Sequence, residues 1–147
     1  MTKIRIVVAA ILGGLAATAG LAQQEPQAVR QNLMKGIGQS IGALGAIAKG
    51  EKPYDAEVVR TALSTVNTNI KAFPDQFPEG SESGMETEAK PEIWGNKEDF
   101  QAKAQKLESV SASLLDDMPA DQQGVQQAVQ TLGPVCSACH ESYRVKK

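Results

Sequence analysis

The chain predicts an all-α fold, an antiparallel four-helix bundle. Three observations carry that prediction. Four stretches repeat apolar side chains at three- and four-residue steps, the period of a helix. No stretch alternates apolar and polar residues as a half-buried strand would. The links between the four are short to medium in length, which favours antiparallel neighbours. With 147 residues the chain is long enough for one domain with a real core.

Each element has its own signals. The first helix is expected from about Gln27 to Lys49, with Pro26 suited to its first turn and Gly50 to its C-terminal cap. Val29, Leu33, Ile37, Ile41, Leu44 and Ala48 form its stripe. Gly36, Gly38, Gly42 and Gly45 interrupt it, and each glycine weakens a helix by up to about 1 kcal/mol. A close approach to a neighbouring helix or to a flat ring would compensate. The second helix is expected from Ala56 to Ala72 with Asp55 as N-cap, a stripe of Val59, Leu63, Val66, Ile70 and Phe73, and a stop at Pro74. Residues 74–90, rich in Pro, Gly, Ser and Glu, read as a long loop, and Pro91 opens a short turn holding Ile93 and Trp94. The third helix is expected from about Lys97 to Asp116, with Phe100, Ala104, Leu107, Val110 or Ser111, and Leu114 inward. Met118-Pro119-Ala120 breaks it. The last helix starts near Asp121 and carries Val125, Val129, Leu132, Cys136, Cys139 and Tyr143 at helical steps, with a kink expected at Gly133-Pro134.

That last helix carries the chemistry. Cys136, Cys139 and His140 spell C-x-x-C-H, the attachment signal for a c-type haem. Two thiols at this spacing add to the two vinyl groups on one edge of a porphyrin. The adjacent imidazole then lies under the ring, where it binds the iron from the proximal side. The chain has two cysteines and one histidine, so one haem is expected, and its second axial ligand cannot be a histidine of this chain. A structural disulfide and a thioredoxin-like pair are the competing readings. The second lacks the βαβ pattern it needs, and a zinc half-site lacks its second ligand pair.

The N-terminus reads as an export signal. Lys3 and Arg5 precede an apolar run from Ile6 to Leu21, too short for a comfortable membrane span and ending in Gly20-Leu21-Ala22. Residues 1–22 are therefore expected to be a cleaved signal peptide and 23–147 the domain, the alternative being an uncleaved anchor. Without Lys3 and Arg5, 13 basic side chains stand against 17 acidic ones, a net charge of −4. That balance argues against nucleic acid and against an anionic membrane surface as partners. Export to the periplasm fits haem c, which is attached outside the bacterial cytoplasm, and leaves no odd thiol.

With His140 used, a protein sixth ligand would be a methionine sulfur, from Met34, Met85 or Met118. Met85 lies in the polar loop and Met118 in the helix break. Met34 shares one face of the first helix with Arg30 and Gly38. That face suits a haem, with sulfur toward iron, a missing side chain to admit the ring, and a guanidinium toward a propionate. The plain alternatives are a core methionine and a solvated arginine.

The chain resembles the class II c-type cytochromes, which include cytochrome c' and its low-spin cytochrome c-556 relatives. The resemblance runs from Gln27 to Lys147. It rests on Arg30-Gln31-x-Leu33-Met34-Lys35, Ala48-Lys49-Gly50-Glu51, Phe77-Pro78 and Lys90-Pro91-x-Ile93-Trp94, and on Cys136-x-x-Cys139-His140-x-x-Tyr143-Arg144 near the C-terminus. It implies a four-helix bundle with covalently attached haem c and His140 as proximal ligand. Met34 falls where the family places its distal residue, and Arg144 matches a family residue beside the proximal face. In the c-556 group a Met at that distal position ligates the iron. In cytochromes c' the distal side chain usually blocks an empty site that NO or CO can reach, and some carry a non-ligating Met there. The run from Leu44 to Asp55 is more like the c-556 group.

The leading expectation is thus a periplasmic electron carrier and not an enzyme, with one low-spin haem c whose axial ligands are His140 and Met34, transient redox protein partners and no stable membrane association. The alternative is an NO- or CO-binding protein with Met34 as a gate. Either a monomer or a homodimer is compatible, since members of this family often dimerise.

Overall fold

The computed structural model describes residues 25–146; the expected signal peptide lies outside them. Four long helices form the bundle: α1 Pro26–Ala48, α2 Ala56–Ala72, α4 Lys97–Asp116 and α5 Gln122–Tyr143, with a short α3 at Glu92–Gly95. A single turn of 3-10 helix, Pro74–Gln76, follows α2. The described residues hold no strand, only one antiparallel bridge between Ala89 and Arg144. The all-α bundle expected from the sequence is the fold found.

Capping explains where the helices begin and end. Pro26 occupies the first turn of α1. Asp55 accepts from Glu57 N and Val58 N to start α2, and Asp121 accepts from Gly124 N to start α5. At the end of α1, Gly50 N donates to Ile47 O and Glu51 N to Ala46 O, both at 2.9 Å. This pair of bonds is a Schellman cap, and its left-handed residue is Gly50 at φ +74°. α5 runs helical through Pro134 to Tyr143 rather than ending ahead of the motif.

Cross-helix contacts set the direction of each neighbour. Asn69 Nδ2 of α2 donates to Leu33 O of α1 at 3.1 Å. Asn67 Nδ2 of α2 donates to Glu108 O and Ser111 Oγ of α4 at 2.9 and 3.1 Å. Phe73 at the end of α2 packs on Phe100 near the start of α4. Tyr143 at the end of α5 reaches back to Asp99 at the start of α4. Gln122 at the start of α5 meets Ala48 and Gly50 at the end of α1. Each neighbour is thus antiparallel, and α1, α2, α4 and α5 close a ring in that order.

The core is aliphatic from mid-bundle to the end away from the cysteines, with Leu44, Ile47, Leu63, Val59, Val66, Val125 and Leu132 almost fully buried. It is aromatic toward the end that carries the cysteines. Phe73, Phe77, Phe100, Trp94 and Tyr143 meet there edge-on or tilted, at centroid distances of 4.8 to 6.0 Å. In α4 the inward residue is Ser111, which returns its hydroxyl to Leu107 O at 2.8 Å.

The buried face of α1 differs from the expected stripe. It runs through Gln27, Arg30, Ile37, Ser40, Leu44 and Ile47, while Leu33 and Ile41 are half-covered. Gln27 and Arg30 face inward because partners on the long loop satisfy them, which an apolar count cannot register. Among the four glycines of α1, Gly36 answers to a close approach. A Cβ there would lie 2.5 Å from Asn69 Nδ2, whereas one on Gly38, Gly42 or Gly45 would meet nothing within 4 Å.

Candidate haem site

Cys136, Cys139 and His140 occupy successive turns of the last stretch of α5, where helical periodicity decides their directions. Cys139, three residues on from Cys136, is like it partly buried against the core. Pro134, Val135 and Ala138 stand against α4, so the helical period turns Cys136 and His140 to the other flank of α5, the side of α1. Both thiols are free and half-buried. Burial pushes both thiol pKa values up, so they stay protonated at neutral pH. His140 is exposed. Partial desolvation first, and then Arg144, lower its pKa, while Glu88 opposes them. The ring is therefore neutral at pH 7, the form that donates a nitrogen lone pair to a metal.

On α1, Gly36 marks the side against α2, and the same periodicity turns Met34, Gly38, Ile41 and Gly45 toward α5. The level follows from the register. Ala48 and Gln122 lie opposite one another, and both helices rise by about 1.5 Å per residue. Fourteen residues back along α1 and fourteen forward along α5 bring Met34 level with Cys136. Met34, Ile41, Val129 and Cys136 are all only partly covered.

Residues and seam together fit a porphyrin. The glycine flank of α1 is open, half-covered apolar side chains stand along both helices, and two thiols with a neutral imidazole occupy one face of α5. No other pair of helices offers this chemistry, because the chain's cysteines and histidine are all here. A separate apolar groove of about 390 Å³ lies on the opposite flank of α5, against α4, lined by Ala102, Lys103, Lys106, Pro134, Val135 and Ala138.

Arg30, the residue expected toward a propionate or in the pocket, is turned inward to the long loop. It is 3 % exposed and donates to Ser81 O at 3.0 Å, Thr87 Oγ1 at 3.1 Å, Ser81 Oγ at 3.3 Å and Gln76 O at 3.4 Å. Its guanidinium stacks 4.7 Å from the Phe77 centroid and 5.6 Å from that of Trp94. Burial pulls its pKa down and Glu82 partly restores it. The long side chain reaches past the helix to carbonyls and hydroxyls of residues 76–87, so Arg30 clasps the loop. Gln27 Nε2 adds a bond to Ser83 O at 2.7 Å. Arg144, one turn beyond His140, is paired with Glu88 at 2.6 Å. Sequence patterns do not reveal Glu88, Ser81 and Thr87, because a polar loop carries no period that reports its long-range partners.

A helical bundle whose last helix presents C-x-x-C-H beside an open seam defines a haem protein, a c-type cytochrome of the bundle class. Comparisons with known proteins say which. The family model for cytochrome c' matches residues 25–144. A cytochrome c-556 of Agrobacterium fabrum is 51% identical over 146 residues, 99% of this chain and 98% of its own. Another, from Agrobacterium tumefaciens strain II Chrys, is 57% identical over 118 residues, 80% of this chain and 95% of its own. Among solved structures, cytochrome c' of Rhodopseudomonas palustris superposes with a TM-score of 0.80 at 28% identity, covering 85% of this chain and 99% of its own. An NMR-validated model of oxidised cytochrome c556 from the same organism gives 0.75 at 31% identity, over 85% and 99%. The chain belongs to the cytochrome c' family, and its cofactor is covalent haem c with iron.

Proposed function

We propose that this protein is an exported, periplasmic electron carrier, with haem held by thioethers to Cys136 and Cys139 and iron between His140 and Met34. When bound, the haem supplies a one-electron couple. The chain's own residues do the rest. Cys136 and Cys139 fix one edge to α5, the neutral His140 offers its nitrogen, and Met34 offers a soft sulfur from α1. A thioether ligand favours the reduced state and raises the potential.

The observation that carries this reading is the register of α1 against α5, which puts Met34 alongside the attachment motif. The cytochromes c-556 at 51% and 57% identity support it. In this role the protein makes and breaks no substrate bond, and it docks transiently with redox proteins. Among the described residues no helix is long and apolar enough to cross a membrane. Export rests on residues 1–22 as a cleaved leader.

A second reading is gas binding, with Met34 a gate over an open iron. It draws on the likeness to cytochrome c', including a structure described as the nitric oxide complex of a mutant of cytochrome c prime from Alcaligenes xylosoxidans (TM-score 0.71, 28% identity).

The optical spectrum of the holoprotein, ferric and ferrous, with and without CO, separates the two. The carrier predicts a weak far-red sulfur-to-iron band, a sharp ferrous α band and no response to CO. Met34→Ala should then lower the potential and admit CO. A broad high-spin spectrum that already responds to CO in the unsubstituted protein would replace the carrier with the gas binder.

A further inference from the structure

The end of α5 is strapped to the long loop directly after His140. Val145 N donates to Glu88 O at 2.8 Å and Lys90 N to Tyr143 O at 3.0 Å, which makes the Ala89–Arg144 bridge. Lys90 Nζ donates to Glu141 O at 3.0 Å. Arg144 N closes the last turn of α5 onto His140 O at 3.0 Å. Within this frame Arg144 Nε donates to Glu88 Oε2 at 2.6 Å. Arg144 thus stands one helical turn beyond His140, and Glu88 is held against it there.

The pair does little for stability. Its side chains are 53% and 33% exposed, so water screens the pair and it adds little net stability. Its geometry is nonetheless held on both sides, by main-chain bonds of Glu88, Arg144 and their neighbours.

We propose that Glu88 is a positioning residue for the iron ligand: its carboxylate pins the Arg144 guanidinium beside His140, so that the loop sets the charge felt at the proximal face and with it the reduction potential. This rests on His140 as an axial ligand. Removing Glu88's negative charge disfavours the ferric state, so the potential rises. Removing Arg144's positive charge lowers it. Once the carboxylate is gone the guanidinium is free to move, so the effects are coupled rather than independent.

The test is the reduction potential of the holoprotein, by spectroelectrochemistry, for the unsubstituted protein, Glu88→Gln, Arg144→Gln and the double variant. Glu88→Gln keeps the side-chain shape and the carbonyl that receives Val145 N. Expected are an upward shift, a downward shift and a double-variant value that is not their sum, with every shift shrinking as salt rises. Unchanged potentials in both single variants overturn the proposal, even if amide exchange at Lys90 and Val145 quickens, since that is what a mere staple would do. Strictly additive shifts overturn the pinning. A pyridine haemochrome assay checks the underlying reading separately. Covalent haem with unmoved potentials removes only Glu88's role, while absence of covalent haem removes both.

Discussion

Tyr143 joins the motif helix to α4 through one short bond, from its hydroxyl to Asp99 Oδ2 at 2.6 Å. Asp99 in turn lies 3.7 Å from Lys103. The phenol pKa is pushed up from 10.0 to about 12, by burial first and then by the bond to the Asp99 carboxylate. The folded chain therefore holds this proton more tightly than the unfolded chain does. The resulting stability is complete below pH 10.0 and lost as pH rises through about 12. Tyr143→Phe should cost about 1 kcal/mol at neutral pH, the net contribution of a typical intramolecular hydrogen bond. It should also flatten the loss of stability across the alkaline range. Urea denaturation followed by circular dichroism at successive pH values reads both, and an equally steep alkaline loss in the variant would assign that loss to another group. Arg30 shows the limit of reading residues singly. Its place one turn before Met34 was legible, but its partners lie 46 to 57 positions away on the loop and were not.

Among the elements, caps and breakers were the most legible features. Asp55, Asp121, Pro26, Gly50 and Pro74 mark ends set by local chemistry, and the helices begin and stop where they say. Gly50 offers a direct check. A Cβ there would be strained at φ +74° and would lie 3.0 Å from Gln122 Nε2 at the start of α5. Gly50→Ala should destabilise by about 1 kcal/mol, as left-handed backbone costs an L-residue about that much. A thermal melt unchanged from that of the unsubstituted protein would mean that the α1 cap and its contact with α5 contribute nothing. The last helix was expected to run on past Gly133-Pro134 to Tyr143, and it does. Pro134 lies inside α5 and the helix continues through it, because packing against α1 and α4 on either side offsets the missing N–H. The buried face of α1 was also partly hidden, since Gln27, Arg30 and Ser40 turn inward beside apolar neighbours.

For the whole molecule, the haem seam is a matter of tertiary register. The half-covered apolar side chains and open glycines along α1 and α5 leave surface that a bound ring would remove from water. Haem should therefore stabilise the bundle as well as give it a redox couple. Cys136→Ala/Cys139→Ala, which cannot form the thioethers, should lower Tm by about 10 °C or more, as loss of a ligand bound only by the folded state does. Thermal circular dichroism of both proteins measures this. Equal melting temperatures would make the seam self-sufficient and the haem a passenger.

By itself the sequence determined the helical fold class, the helix ends, the single C-x-x-C-H motif and the short set of methionines that could oppose His140. These follow from local rules, from period, caps and the spacing of reactive atoms, which act within a few residues. Tertiary structure alone decided the register that brings Met34 level with Cys136, the bonds from Arg30 to the loop, and the pairing of Glu88 with Arg144 one turn beyond His140. Those pairings join residues far apart in the chain. They exist only once antiparallel packing fixes the register of one helix against another and folds the long loop back over both.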